Sequence, residues 1–165
     1  MKPALIVIDV QKAFYQHNII NTQSLDDAVE YINYAITLFR QKELPIFCIQ
    51  HVDPGDNLIP GVDGFDLPET LKILPTDIHI HKTYGNAFNK TPLEKYLAEL
   101  EVDTVFLTGY CAENCVLSTC RGAEDLDLTP ILIRGSLASG VPENIRFVEN
   151  INALISIEAL EKMLV

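Results

Sequence analysis

Short unbroken apolar runs alternate with amphipathic stretches along most of this chain. The first run, Ala4-Leu5-Ile6-Val7-Ile8, has no polar position and predicts a strand covered on both faces. Past it, Ala28, Tyr31, Ile32, Ala35, Ile36 and Phe39 recur at helical spacing and predict a helix, with Ser24 as its N-cap and Asp27 three residues further on. Further strands are expected at 45–50, 77–81, 103–108, 130–133 and 153–156. Between and after them fall a helix from Pro92 capped by Thr91 and Glu94, one carrying Cys115, a short one near 142–149 and a terminal one. The stretch 52–76 breaks the rhythm: it is rich in Pro, Gly and Asp and holds one expected short helix near Pro68–Leu74. Connections of that length are uncommon unless functional, so it is expected to wall a pocket or an interface. Strands alternating with helices imply a parallel sheet covered on both sides, an α/β, Rossmann-like three-layer α/β/α fold. Six strands in the order 3-2-1-4-5-6 would put strands 1 and 4 at the switch point, where ligands gather beyond the carboxyl ends.

Composition narrows the function more than the fold. A chain of 165 residues predicts one domain over 1–165, large enough to bury about two thirds of its unfolded surface. With 48% hydrophobic residues, disorder is not expected. A net charge of −11 argues against a nucleic-acid partner, which needs a basic face. No apolar run approaches the roughly 20 residues of a membrane span, and Asp9 interrupts the one N-terminal candidate for a signal peptide. The expected compartment is therefore the cytosol, with no membrane partner. The four cysteines, Cys48, Cys111, Cys115 and Cys120, fit no zinc spacing and would stay reduced there. The last three lie close in sequence, so oxidation is a route to inactivation.

Three segments carry candidate chemistry. In Asp103–Gly122 a β-branched strand ends at Gly109, and Cys115 follows at or near the first turn of a helix. A thiol there meets the positive end of the helix dipole, which favours thiolate, although a buried cysteine serves equally well as an inert filler. The first strand ends in Asp9, and the strand Ile78-His79-Ile80-His81 delivers Lys82 at its end. Singly, Asp9 is an ordinary strand-exit acid and Lys82 an ordinary edge charge. Together, each just past a parallel strand, they supply a proton acceptor, a cation and a nucleophile to one edge of a sheet.

The motifs LIVIDVQKAF, HKTYGNAF followed by TPLEKYL, and GYCAENCVLSTCRGA resemble those of the isochorismatase-like cysteine hydrolases, the family of nicotinamidases and N-carbamoylsarcosine amidohydrolases. Gly109, Glu113, Cys115, Val116, Thr119, Arg121 and Ala123 fall in register with the family pattern around the nucleophile. The resemblance covers nearly the whole chain and says little about substrate. It implies Asp9, Lys82 and Cys115 as the catalytic triad and the backbone N–H groups of Cys111 and Cys115 as the oxyanion hole. Members often have a cis peptide at the position of Tyr110–Cys111. Phe14, Tyr84 and Tyr110 match pocket positions, and Phe14 and Tyr84 serve as readily as core aromatics. The implied partners are a small-molecule substrate and a second copy of the chain, as a homodimer or homotetramer.

Some relatives hold zinc or iron through an Asp-x-His pair and a further histidine. Here Ile49 stands for the aspartate, His51 is kept, and Asn57 stands for the second histidine. One histidine does not make a divalent-metal site, so no metal and no cofactor are expected. Asp53 and Asp56 are expected in a Pro-Gly turn, His79 and His81 in sheet packing, and His17 in a polar loop. Arg134 follows a strand and is expected on the surface rather than on a substrate carboxylate. The leading expectation is a cysteine hydrolase cleaving the C–N bond of a small amide, ureido or carbamoyl compound. The alternatives are vinyl-ether hydrolysis of the isochorismatase type and a non-catalytic, redox-sensing oligomer.

Overall fold

The computed structural model describes residues 1–164. They form six strands in one sheet: β1 (Pro3–Ile8), β2 (Ile46–His51), β3 (Ile78–Lys82), β4 (Thr104–Tyr110), β5 (Thr129–Ala138) and β6 (Leu154–Ile155). All pairings are parallel, and the order is β3-β2-β1-β4-β5-β6, as the sequence predicts. Six α-helices accompany them: α1 (Lys12–Tyr15), α2 (Ile19–Gln41), α3 (Leu93–Glu99), α4 (Leu117–Asp125), α5 (Pro142–Asn150) and α6 (Ile157–Met163).

Strand periodicity divides the apolar residues between two layers. Ala4, Ile6 and Ile8 of β1 face a cluster that includes Leu93 and Leu97 of α3, Cys120 and Ala123 of α4 and Val148 of α5. Leu5 and Val7 face the other way, onto Leu25, Ile32, Ile36 and Phe39 of α2 and Leu160 of α6. Each such leucine or isoleucine, taken fully from water, contributes about 1.5–3 kcal/mol, so both layers clamp β1 at the centre of the sheet.

Several expected boundaries move. Helix α2 begins at Ile19, with Asn18 as its cap: the Asn18 side chain accepts from the Asn21 N–H at 2.9 Å. Ser24 is interior to that helix, and its hydroxyl oxygen accepts the Ser139 N–H at 3.1 Å. The serine looked like a cap because the buried apolar period starts there; in the preceding turn Ile19 and Ile20 are exposed and Asn21 faces the site, so no buried stripe marks it. Tyr31 leaves the buried face and is 42% exposed. The short helix expected near 68–74 is a single turn, closed by the Leu71 N–H on the Pro68 carbonyl, followed by irregular chain, and the 52–76 stretch has 3₁₀ turns instead at Pro54–Asp56 and Asp63–Phe65. Thr91 acts just ahead of α3, its hydroxyl oxygen accepting the Leu93 N–H at 3.3 Å. Strand β5 runs on to Ala138 through a register shift beside β4, so Arg134 lies mid-strand and exposed, away from the carboxyl edge.

Candidate active site

Asp9, Lys82 and Cys115 meet beyond the carboxyl ends of the central strands. Asp9 follows β1 with φ of 53°, a left-handed turn that takes the chain out of the strand within one residue. Such a conformation costs a non-glycine residue roughly 1–3 kcal/mol and persists where the surroundings impose it. Next door, Gly109 has φ of 115°, and a Cβ there would run into the main chain of Ile8. The glycine therefore lets β4 press against β1 just before Tyr110 and Cys111. The Tyr110–Cys111 peptide is cis.

Cys115 lies in a single π turn, Ala112–Val116, that precedes α4. The turn closes on the Cys111 carbonyl, which accepts from Asn114 at 3.1 Å and from Val116 at 3.2 Å. Among the described residues, no backbone hydrogen bond of the loops engages the Cys111 N–H. Glu113 anchors the same turn from outside. Its Oε1 accepts from the Ser139 hydroxyl at 2.9 Å and from the Asn144 amide at 2.9 Å. Burial alone would raise its pKa, but hydrogen bonds from Cys111, Asn144 and Ser139 bring it below the ordinary carboxylate value.

The Lys82 ammonium is the hub. Its Nζ stands 2.7 Å from Asp9 Oδ2, 3.0 Å from the Tyr84 carbonyl, 3.0 Å from His51 Nδ1 and 3.4 Å from Cys115 Sγ. Three protons serve four neighbours, so the cation is shared rather than committed to one. Both Asp9 and Lys82 are 1% exposed. Both Asp9 oxygens are buried, and Oδ2 is paired with the Lys82 ammonium.

Burial raises the Asp9 pKa against the pull of Lys82. The Cys115 thiol is pushed up to about 11, by burial first and by the Asp9 charge second, with Lys82 opposing. This reverses the expectation of a thiolate held by the helix dipole. Helix α4 begins only at Leu117, so Cys115 sits in the turn before it, half-buried and beside a carboxylate. At rest the site thus favours a protonated thiol beside a carboxyl group of raised proton affinity. His51 is pushed below its ordinary pKa by burial and by Lys82, which suits a neutral imidazole accepting at Nδ1.

A cavity of about 240 Å³ opens onto Cys115 and is lined by Asp9, Phe14, Tyr110, His51, Asp53 and Leu58 among others. Phe14 and Tyr110 stack with centroids 4.8 Å apart. The Asn21 amide holds both, donating to the Tyr110 hydroxyl at 2.8 Å and to the Phe14 carbonyl at 3.3 Å. Tyr84, expected in the pocket, does not line it. Its ring is 41% exposed, its hydroxyl accepts from Lys90, and only its carbonyl reaches the site, through Lys82.

Gln11, Asn21 and the pairing of His51 with Lys82 were not foreseen from the sequence. The Gln11 amide donates to the His51 and Phe65 carbonyls at 3.1 Å each, while its Oε1 accepts the His51 N–H at 2.7 Å. It thus staples the long 52–76 stretch to the end of β1. The only signal was position, two residues past Asp9. Among the described residues, no three His, Cys, Asp or Glu side chains are grouped to hold a metal ion.

Comparison with known proteins matches residues 3–152 to the Isochorismatase domain family. An uncharacterized isochorismatase family protein of Bacillus subtilis strain 168, YrdC, is 33% identical over 140 residues, covering 84% of this chain and 74% of its own. An N-carbamoylsarcosine amidase from Arthrobacter sp. is 28% identical over 164 residues, covering 86% of this chain and 61% of the amidase. The crystal structure of an isochorismatase-like hydrolase from Alkaliphilus metalliredigens superposes with a TM-score of 0.90 at 21% identity, over 99% of both chains.

Proposed function

The chain belongs to the isochorismatase family, and from that premise we propose that it is a cysteine hydrolase cleaving the C–N bond of a small amide, ureido or carbamoyl compound. The observation that carries this is the meeting of Asp9, Lys82 and Cys115, with Asp9 and Cys115 lining one small cavity and Lys82 buried behind them. The similarity to an N-carbamoylsarcosine amidase supports the amide class.

In the proposed reaction the Cys115 thiol gives its proton to Asp9 as sulfur attacks the substrate carbonyl carbon. Asp9 suits this task because burial has already raised its proton affinity. The electron pair of the carbonyl moves to oxygen, and the N–H groups of Cys111 and Cys115 receive the oxyanion. One such donor is typically worth about 3–4 kcal/mol in the transition state. As the C–N bond breaks, Asp9 returns the proton to nitrogen and the amine, or ammonia, departs. A thioester remains on Cys115. Asp9 then takes a proton from water, the resulting hydroxide attacks the thioester, and the departing sulfur is reprotonated. Lys82 keeps Asp9 ionised in a nearly dry site and faces the sulfur while it is anionic.

The test is ammonia release from a panel of small amides, ureas and carbamoyl compounds. The wild type should hydrolyse at least one member, and Cys115→Ala should lose that activity by about 10³-fold or more with its fold intact. Undiminished turnover in Cys115→Ala would contradict the proposal.

A further inference from the structure

The walls of the cavity carry a charge pattern that its floor does not require. Asp53 and Asp56 line it, and among the described residues no lysine or arginine does. Lys82, the nearest cation, is wholly buried and shared among four neighbours. Neither Asp53 nor Asp56 takes part in any salt bridge among the described residues. Asp53 is held in place by local geometry: its carboxylate caps the 3₁₀ turn by accepting the Gly55 N–H at 2.9 Å, and its main chain pairs with Leu58. Below them Asp9 is buried and paired with the Lys82 ammonium at 2.7 Å, so the open negative charge of the walls is that of Asp53 and Asp56. The apolar side of the same cavity is the Phe14–Tyr110 stack, clamped by Asn21.

Aromatic rings and carboxylates around a small volume form the surroundings that attract organic cations and repel carboxylates. We infer that the substrate is a small amide whose far end carries a positive charge, an ammonium or alkylammonium group, held between the Phe14–Tyr110 stack and Asp53 with Asp56. The inference rests on the hydrolase reading for the word substrate; the charge preference belongs to the pocket itself. A cavity of about 240 Å³ lies below the usual range for drug-sized ligands, which limits the substrate to a few carbons between amide and cation. Arg134, which the sequence places near the end of a strand, points no cation into this space: it is exposed in the middle of β5.

The experiment compares three alkylating probes of Cys115 that differ in charge: iodoacetate, iodoacetamide and an iodoacetamide bearing a trimethylammonium tail. Rates are read by peptide mass spectrometry and divided by each probe's rate with glutathione. The expected order is cationic, neutral, anionic, with about tenfold or more between the extremes. Asp53→Asn with Asp56→Asn should contract that spread by about threefold or more. Asp56→Asn alone, at an exposed position that makes no capping bond, should contract it in part. Equal normalised rates, faster labelling by iodoacetate, or a spread untouched by either variant would overturn the inference. Ammonia release from amides with ammonium, neutral and carboxylate tails separates the two claims. Hydrolysis without a charge preference removes the inference and leaves the hydrolase. A charge-ordered labelling pattern with no hydrolysis of any member removes the hydrolase and leaves a cation-selective pocket.

Discussion

Asp9 and Cys115 compete for one proton in a space where only one negative charge is comfortable. Burial raises the proton affinity of both, and the Asp9 charge raises that of Cys115 further, while the thiol's hydrogen bond works the other way on Asp9 and lowers its proton affinity. A thiol pushed up to about 11 should react slowly with alkylating agents at neutral pH. Asp9→Asn removes the charge that opposes thiolate while Lys82 stays beside the sulfur, so labelling of Cys115 should rise by about tenfold or more. Turnover should fall in the same variant, because nothing remains to carry the proton. Labelling that drops along with turnover would mean Asp9 activates the thiol at rest instead. Lys82 makes a second case. Replacing it by Met leaves a buried carboxylate uncompensated, at a cost of about 3–5 kcal/mol at neutral pH. The Asp9 pKa is already raised by burial and rises further without the cation. A raised folded-state value gives stability that is complete below the unfolded value and lost as pH rises through the folded one. The gap in melting temperature between wild type and Lys82→Met should therefore narrow as pH falls from about 8 to about 5.

The elements bring these side chains together by ending where they do. Strand β1 stops at Asp9 because a left-handed residue cannot continue it, and β4 reaches Cys111 only because Gly109 lets two backbones touch. Gly109→Ala should cost about 3 kcal/mol or more, read as a fall in the denaturation midpoint, since both the positive φ and the added Cβ are opposed. A fully stable Gly109→Ala protein would refute the close approach. Apolar runs announced β1, β2 and β4 well, because a strand buried on both faces leaves an unbroken run, and alternation announced the edge strand β3. Helix α2 was announced by its apolar face, while its first turn from Ile19 was hidden: its residues face outward or, like Asn21, hold the pocket. The 52–76 stretch was rightly marked as unusual, yet its shape rests on Gln11, Gln50 and Lys12 reaching across from other segments. Contacts so distant in sequence leave no local period to read. The β5 extension was hidden for a related reason: Arg134, Gly135 and Ser136 interrupt the apolar pattern at the register shift.

At the scale of the whole molecule, the order of the sheet makes the site. Asp9 follows β1, Lys82 ends β3 and Cys115 follows β4, so only a parallel sheet with β1 near its middle brings the three to one edge. That convergence was legible in the sequence, because Asp9 and Lys82 fall at strand ends and Cys115 follows shortly after β4. The protonation of the thiol was not, since it depends on burial and on a neighbour more than a hundred residues away in sequence. Tyr84 shows the same limit: its place in a motif located its carbonyl near the site but not the direction of its ring. The account turns on one bond, between Cys115 sulfur and the substrate acyl carbon. Rapid acid quench during turnover of a hydrolysed amide, followed by intact mass and peptide mapping, looks for that bond directly. The expected result is an acyl mass gain on the Cys115 peptide, released by hydroxylamine and missing in Asp9→Asn. Steady turnover with the acyl group on another residue, or persisting in Cys115→Ala, would contradict it.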